Sequence, residues 1–280
     1  MKDHLDLKAY AKINLGLDVV RKREDGYHEV RMIMQTVNLY DRIEMDRTED
    51  GVIRTETNLP FVPDGEGNLA WRAAKLLLDE KGIKDGVTIK IRKYIPVAAG
   101  MAGGSTDAAA VLVGLNRMFD LGFTKKELME RGVKLGAILT ELPAPPQCHL
   151  VIAKPQISVS TKAVYGKLRV NELAPEEHPD IDGMMAAIKN GDLDGVIERL
   201  GNVLETVTVP DHPEISEIKE IMVENGACGS LMSGSGPTVF GIYKDRELAE
   251  KACQALREAD GGRLTRQVYL TEFYNRKKAR

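Results

Sequence analysis

Apolar residues recur along this chain at two spacings, and each spacing predicts an element. Over residues 7–20 they alternate in part, which reads as a strand; residues 30–37 and 40–47 read as two more, joined by a short turn at Asn38 and Leu39. Val87, Ile89 and Ile91 alternate with Thr88, Lys90 and Arg92, so that strand has one face in a core and one in water. Residues 60–67 form a turn-rich loop. Asn68 then caps a helix with Leu69, Ala73, Leu76 and Leu77 on its inner face, and Gly82 closes it. The next helical stripe is Ala108, Val111, Leu112, Leu115 and Phe119, and Thr124 with Glu127 makes a capping box for a third helix.

Pro143, Ala144, Pro145 and Pro146 form a rigid break, the expected boundary between domains 1–146 and 147–280. Beyond it lie a strand over 148–153 and helices over 160–168 and 182–200. Pro213 opens a helix carrying Ile215, Ile218 and Met222, which Gly226 ends. A strand over 237–243, a helix over 246–259 and a strand over 265–271 complete the chain. This order predicts an α+β fold, with helices packed on one face of an antiparallel sheet.

Composition narrows the function without naming it. The 280 residues are 43% apolar and 29% charged, with a net charge of -3 that leaves no footprint for a nucleic-acid partner. The one dense basic patch, Arg276, Lys277, Lys278 and Arg280, is a solubilising tail. Cys148, Cys228 and Cys253 show no paired spacing, which argues against a disulfide framework and against structural zinc. The start is charged, and no run approaches the roughly 20 apolar residues of a membrane span. A cytoplasmic protein without membrane or nucleic-acid partners is expected, as a monomer or weak homodimer.

Candidate chemistry concentrates in residues 96–110, PVAAGMAGGSTDAAA, where an apolar run enters a Gly-rich turn and then an Ala-rich helix. Helix starts of this kind bind anions, and phosphate is the commonest. Gly100, Gly103 and Gly104 supply backbone freedom, and Ser105 and Thr106 supply hydroxyls for phosphate or for Mg²⁺. No Lys follows Gly104, so this is not the G-x-x-x-x-G-K-[ST] loop. A second Gly-rich stretch, residues 226–241, is either a tight turn or a loop lying against the first with amides facing the same phosphates. Lys12 and Asn14 share one strand face; Lys12 is either an edge guard or a buried functional cation. Tyr27 and His28 end a charged loop and suit either a planar heterocycle or a structural role.

Four segments together resemble the GHMP kinase superfamily: AKINLGLDVVRKREDGYHEVRMIMQTV, PVAAGMAGGSTDAAAVLVGLN, KPQISVSTKAVY and GSLMSGSGPTVFG. Within it, the chain looks most like the branch acting on 4-diphosphocytidyl-2-C-methyl-D-erythritol. The resemblance implies an N-terminal domain like ribosomal protein S5 domain 2 and a ferredoxin-like C-terminal domain, with the active site in the cleft between them. It implies ATP and Mg²⁺ as cofactors, and phosphorylation of the 2-hydroxyl of that cytidine diphosphate-alcohol on the way to isoprenoid precursors. Alternatives are another kinase of the superfamily, for homoserine or mevalonate, and a catalytically impaired nucleotide-binding homologue. Carried over by position, residues 100–106, including Gly100, Ala102, Gly103, Gly104, Ser105 and Thr106, wrap the ATP phosphates. Asn68 and residues 93–96, Pro96 among them, border the nucleotide. Lys12, the catalytic cation, and Asn14 stand by the transferred phosphate and the acceptor hydroxyl. Tyr27, His28 and Tyr165 form the cytosine pocket, and Gly234, Ser235 and Gly236 hold the phosphate end of the substrate.

One departure stands out. After Ala137 the family pattern continues through an Asp-containing segment and a Gly-rich stretch, whereas this chain runs directly to Ile138, Leu139 and Thr140. That Asp is the family's catalytic base. The chain is therefore either a variant without the base or a polypeptide with further residues at this junction. An intact mass above 30.9 kDa identifies the second case.

Overall fold

A computed structural model of the chain describes residues 2–133 and 142–275; the Ala137–Ile138 junction and the tail Arg276, Lys277, Lys278 and Arg280 lie outside them. The chain divides into two compact units. The first takes residues 2–11, Leu39–Val97 and 102–133; the second takes Lys12–Asn38, Ala98–Met101 and 142–275.

Two long strands pass through both units, β1 (His4–Lys22) and β2 (His28–Thr48). No turn interrupts β2 at Asn38 and Leu39. Ile33, Gln35 and Val37 are buried, and so are Asp41, Ile43 and Met45, so the two-residue period runs on through the polar Asn38. In the first unit β2 pairs antiparallel with β4 (Gly86–Arg92), and β3 (Ile53–Thr57) pairs parallel with β4. Against this sheet lie α1 (Leu69–Lys81), α2 (Gly103–Met118) and α3 (Lys125–Val133). The core joins Ile43, Met45, Ile89 and Ile91 of the sheet to Ala74 and Leu77 of α1 and Val111 and Leu115 of α2. A Cβ on Gly114 would come within 2.4 Å of Met45 Sδ, so a larger residue there obliges the Met45 side chain to shift. The helix caps fall as expected: Asn68 Oδ1 accepts from Ala70 N at 2.9 Å, and Thr124 and Glu127 exchange hydrogen bonds. Leu76 is 37% exposed, and Leu78, next to Leu77, takes the inner position instead.

In the second unit β6 (Gly201–Asn202) runs parallel to β1, pairing Gly16 with Gly201. A separate antiparallel sheet has the order β7-β8-β5-β9, from β5 (His149–Pro155), β7 (Gly229–Met232), β8 (Val239–Tyr243) and β9 (Thr265–Glu272). Part of the expected Gly-rich loop over 226–241 is thus strand β7. Helices α8 (Glu214–Glu224) and α9 (Arg246–Glu258) cover the face of Val151 and Ala153, giving a β-α-β-β-α-β order. The helix expected over 182–200 is two, α5 (Ile181–Asn190) and α6 (Leu193–Glu198). Gly191, at φ 68°, closes the first, and Asp192 caps the second. Two short helices, α4 (Thr161–Lys167) and α7 (Glu205–Asp211), complete the unit. Among the described residues no helix is long and apolar enough to cross a membrane.

Candidate functional site

The Gly-rich turn between β4 and α2 is strained in a regular way. Ala98, Gly100 and Ala102 take φ of 51°, 75° and 58°, so every second residue is left-handed and two of the three carry a Cβ. Such a conformation costs about 1–3 kcal/mol per non-glycine residue and persists where its surroundings impose it. Ala102 occupies the N-cap of α2 and has no side-chain oxygen, so the first-turn amides of this helix receive no side-chain cap. Ser105 is exposed, whereas the Thr106 hydroxyl donates to Gly103 O at 3.0 Å. Of the two, Ser105 is the hydroxyl left open to phosphate or metal.

Lys12 does share a strand face with Asn14. Its ammonium donates to Asn14 Oδ1 at 2.6 Å and to the Gly100 carbonyl at 2.7 Å. Burial pushes the Lys12 pKa down to about 8. Two of the three ammonium hydrogens are engaged by neutral oxygens, which leaves one for an incoming anion. The same Gly100 carbonyl accepts from Ser233 Oγ at 3.1 Å, and Ser233 Oγ accepts from Asn14 N at 3.2 Å. A Cβ on Gly234, whose φ is 61°, would lie 3.3 Å from Gly100. The second Gly-rich loop therefore packs directly on residues 98–101.

Two residues of this arrangement escaped the sequence reading. Ser233, fully buried, had a signal in the alternation of Ser and Gly over 233–236. Asn202 had none, being a single polar residue in an unremarkable segment. Its Nδ2 donates to Met232 O at 2.8 Å and Gly234 O at 2.7 Å, and its Oδ1 accepts from Leu204 N at 3.0 Å. Asn202→Ala leaves three buried backbone groups without partners. It is expected to lower unfolding stability by about 2–4 kcal/mol in a urea titration. A loss below about 0.5 kcal/mol means that these bonds are replaced on truncation. Ser235 is held by Thr161, hydroxyl to hydroxyl at 2.7 Å, and Gly236 takes φ 83°.

The aromatic candidates divide. His28 and Tyr165 come together, with ring centroids 5.1 Å apart at 45°. Burial, and then Lys22, pushes the His28 pKa down, while burial raises that of Tyr165. Tyr27 is 75% exposed, at the tip of a turn that Asp25 closes by accepting from Tyr27 N at 3.1 Å.

In the first unit, Asn68 spends both side-chain groups on structure, capping α1 and donating to Pro63 O at 3.0 Å. Pro96 is buried. The Lys93 side chain turns inward rather than toward solvent. Its ammonium bridges Asp41 Oδ2 and Asp107 Oδ2, the latter at 2.7 Å, and all three residues are buried. Asp41 Oδ1 accepts from Tyr94 N at 2.6 Å and from Ile95 N at 2.8 Å, whereas Asp107 Oδ1 has no donor. Burial raises the Asp107 pKa to about 7 against the opposing pull of Lys93.

Residues 68–145 match the family profile for the GHMP kinases N terminal domain, and residues 184–261 match that for GHMP kinases C terminal. A 4-diphosphocytidyl-2-C-methyl-D-erythritol kinase of Lachnospira eligens is 49% identical over 290 residues, covering 97% of this chain and 99% of its own. A protein of the same name from Lachnoclostridium phytofermentans is 47% identical over 98% of this chain and 99% of its own. Among solved structures, a 4-(cytidine 5'-diphospho)-2C-methyl-D-erythritol kinase superposes with a TM-score of 0.79 at 30% identity, over 96% of this chain and all of the other. Homoserine kinase from Cytophaga hutchinsonii gives 0.78 at 18% identity, over 98% and 96% of the two chains, a likeness of fold alone.

Proposed function

This chain belongs to the GHMP kinases, and on that premise we propose that it transfers the γ-phosphate of ATP to the 2-hydroxyl of 4-diphosphocytidyl-2-C-methyl-D-erythritol. The observation that carries the mechanism is the Lys12 ammonium, held by two neutral oxygens, one of them a carbonyl of the Gly-rich loop. Its charge is not cancelled by a bonded carboxylate. It is available to the phosphoryl oxygens as negative charge builds on them in flight.

The first-turn amides of α2 and the Ser105 hydroxyl receive the triphosphate, and residues 93–96 with Asn68 border the nucleoside. Mg²⁺ belongs to the same proposal. Among the described residues no cluster of three His, Cys, Asp or Glu side chains is placed to hold a metal. Ser105 is the protein hydroxyl that would stand beside the ion, which suits a cation that keeps most of its hydration. When bound, the ion would supply charge neutralisation for the phosphates. His28 and Tyr165 receive the cytosine with Tyr27 closing over it, and Gly234, Ser235 and Gly236 take the substrate's phosphate end.

The family's Asp base belongs to the pattern that breaks at Ala137. The alignment with the Lachnospira eligens relative spans 290 positions, more than the 280 residues here, so that relative carries residues with no counterpart in this chain. Phosphoryl transfer through a loose transition state survives without a base, at a cost of roughly 10²–10⁴-fold in rate.

Acceptor selectivity tests the reading. Steady-state rates with saturating ATP are expected to favour the cytidine diphosphate-alcohol over homoserine and mevalonate by about 10²-fold or more in kcat/KM. Tyr27→Ala is expected to raise KM for that alcohol about tenfold through lost stacking, with KM for ATP unmoved. Equal use of the three alcohols contradicts the substrate assignment, and an unaltered KM removes Tyr27 from the pocket.

A further inference from the structure

Lys93, Asp41 and Asp107 are three buried ionisable side chains that the mechanism above does not use, and their connections follow the nucleotide side of the chain. Asp41, in β2, takes three donors from three consecutive residues: the Lys93 ammonium on Oδ2, and the backbone N–H groups of Tyr94 and Ile95 on Oδ1. The segment leaving β4 is wrapped around one carboxylate. Asn58 adds a fourth tie, accepting from Lys93 N at 2.7 Å. From Asp41 the ammonium reaches forward to Asp107 Oδ2 at 2.7 Å. Asp107 stands four residues into α2, about one helical turn from Gly103. A Cβ on Gly103 would lie 3.2 Å from Lys93 Nζ, so the ammonium sits directly behind the first residue of that helix. Among the described residues, Asp41 and Asp107 are the carboxyl partners of the buried lysine.

We propose that Lys93 is a positioning residue for nucleotide binding: through Asp41 and Asp107 it fixes residues 93–96 and the first turn of α2 in one orientation relative to each other. The inference rests on the reading that these two segments hold the nucleoside and the triphosphate of ATP. The Lys93 side chain is 5% exposed, so it acts from behind the site rather than on the ligand. A bond between two half-sites matters only to a ligand that spans both. ATP gains from the fixed alignment; tripolyphosphate alone and adenosine alone do not.

The test compares variants of Asp107 by calorimetric binding of these three ligands to the whole protein, with steady-state KM values alongside. Asp107→Asn can still turn an amide oxygen toward Lys93 and is expected to bind ATP within about twofold of wild type. Asp107→Leu has no acceptor and is expected to weaken ATP about tenfold or more, with tripolyphosphate, adenosine and KM for the alcohol unchanged. If Asp107→Leu does not fold, Asp107→Ser, too short to reach the ammonium, carries the same expectation. Equal ATP affinity across the variants overturns the proposal, as does a parallel loss for all three ligands. Wild-type protein that binds neither ATP nor tripolyphosphate overturns instead the nucleotide reading beneath it.

Discussion

Lys12→Met is expected to lower kcat by about 10²–10³-fold while changing KM for ATP by less than about threefold. The ammonium donates to Asn14 Oδ1 and Gly100 O, and its remaining hydrogen meets charge that develops only during transfer. Removing it therefore costs the transition state more than the ground state. The variant is also expected to be at least as stable as wild type. Burial lowers the Lys12 pKa to about 8, so the folded protein binds a proton less tightly here than the unfolded chain does. At neutral pH the charged form therefore costs stability, and the cost fades as pH rises above about 8. The same shift sets a pH limb. The protonated amine is the working form, so kcat/KM for ATP is expected to fall as pH rises through about 8, earlier than an ordinary lysine would dictate. Unchanged turnover in Lys12→Met, or a kcat/KM flat to pH 10, removes the lysine from the mechanism.

Gly100→Ala is expected to lower kcat/KM by about 10²-fold or more. The position has φ 75°, and an added Cβ would meet the Ser233 carbonyl oxygen at 2.1 Å. That oxygen belongs to backbone, so the loop itself must move. The Gly100 carbonyl that holds Lys12 moves with it. Gly191→Ala is the control: φ is 68° there, but nothing lies within 4 Å of the added Cβ. It is expected to cost about 1 kcal/mol of stability and no activity. Equal activity in the two alanine variants shows that the close approach of the two Gly-rich loops is dispensable.

Much of this molecule was legible in residue order. Helix caps at Asn68 and Thr124 use short polar side chains at fixed offsets, a local signal that tertiary context rarely overrides. The two-residue period puts Lys12 and Asn14 on one strand face, and the observed bond between them follows from it. Local signals misled where a single polar residue was read against a continuing period. Asn38 suggested a turn, yet the buried positions on either side keep one alternation through a 21-residue strand. One glycine interrupts a helical stripe only weakly, so the break at Gly191 leaves little trace in the pattern.

What sequence did not reveal were partnerships made across long separations. Lys93 sits in a motif segment expected to border the nucleotide, but the acceptors at Asp41 and Asp107 turn its charge inward. Ser233 and Asn202 matter through bonds to backbone atoms of distant segments, and no spacing rule encodes those.

Transfer itself is the most direct test of the account. Protein whose intact mass has been measured is incubated with ATP, Mg²⁺ and 4-diphosphocytidyl-2-C-methyl-D-erythritol, and the products are followed by phosphorus NMR. The account predicts a new phosphomonoester on the 2-hydroxyl oxygen, formed in step with ADP and slowed by Lys12→Met. ADP accompanied only by inorganic phosphate, or bound ATP that is never consumed, contradicts it.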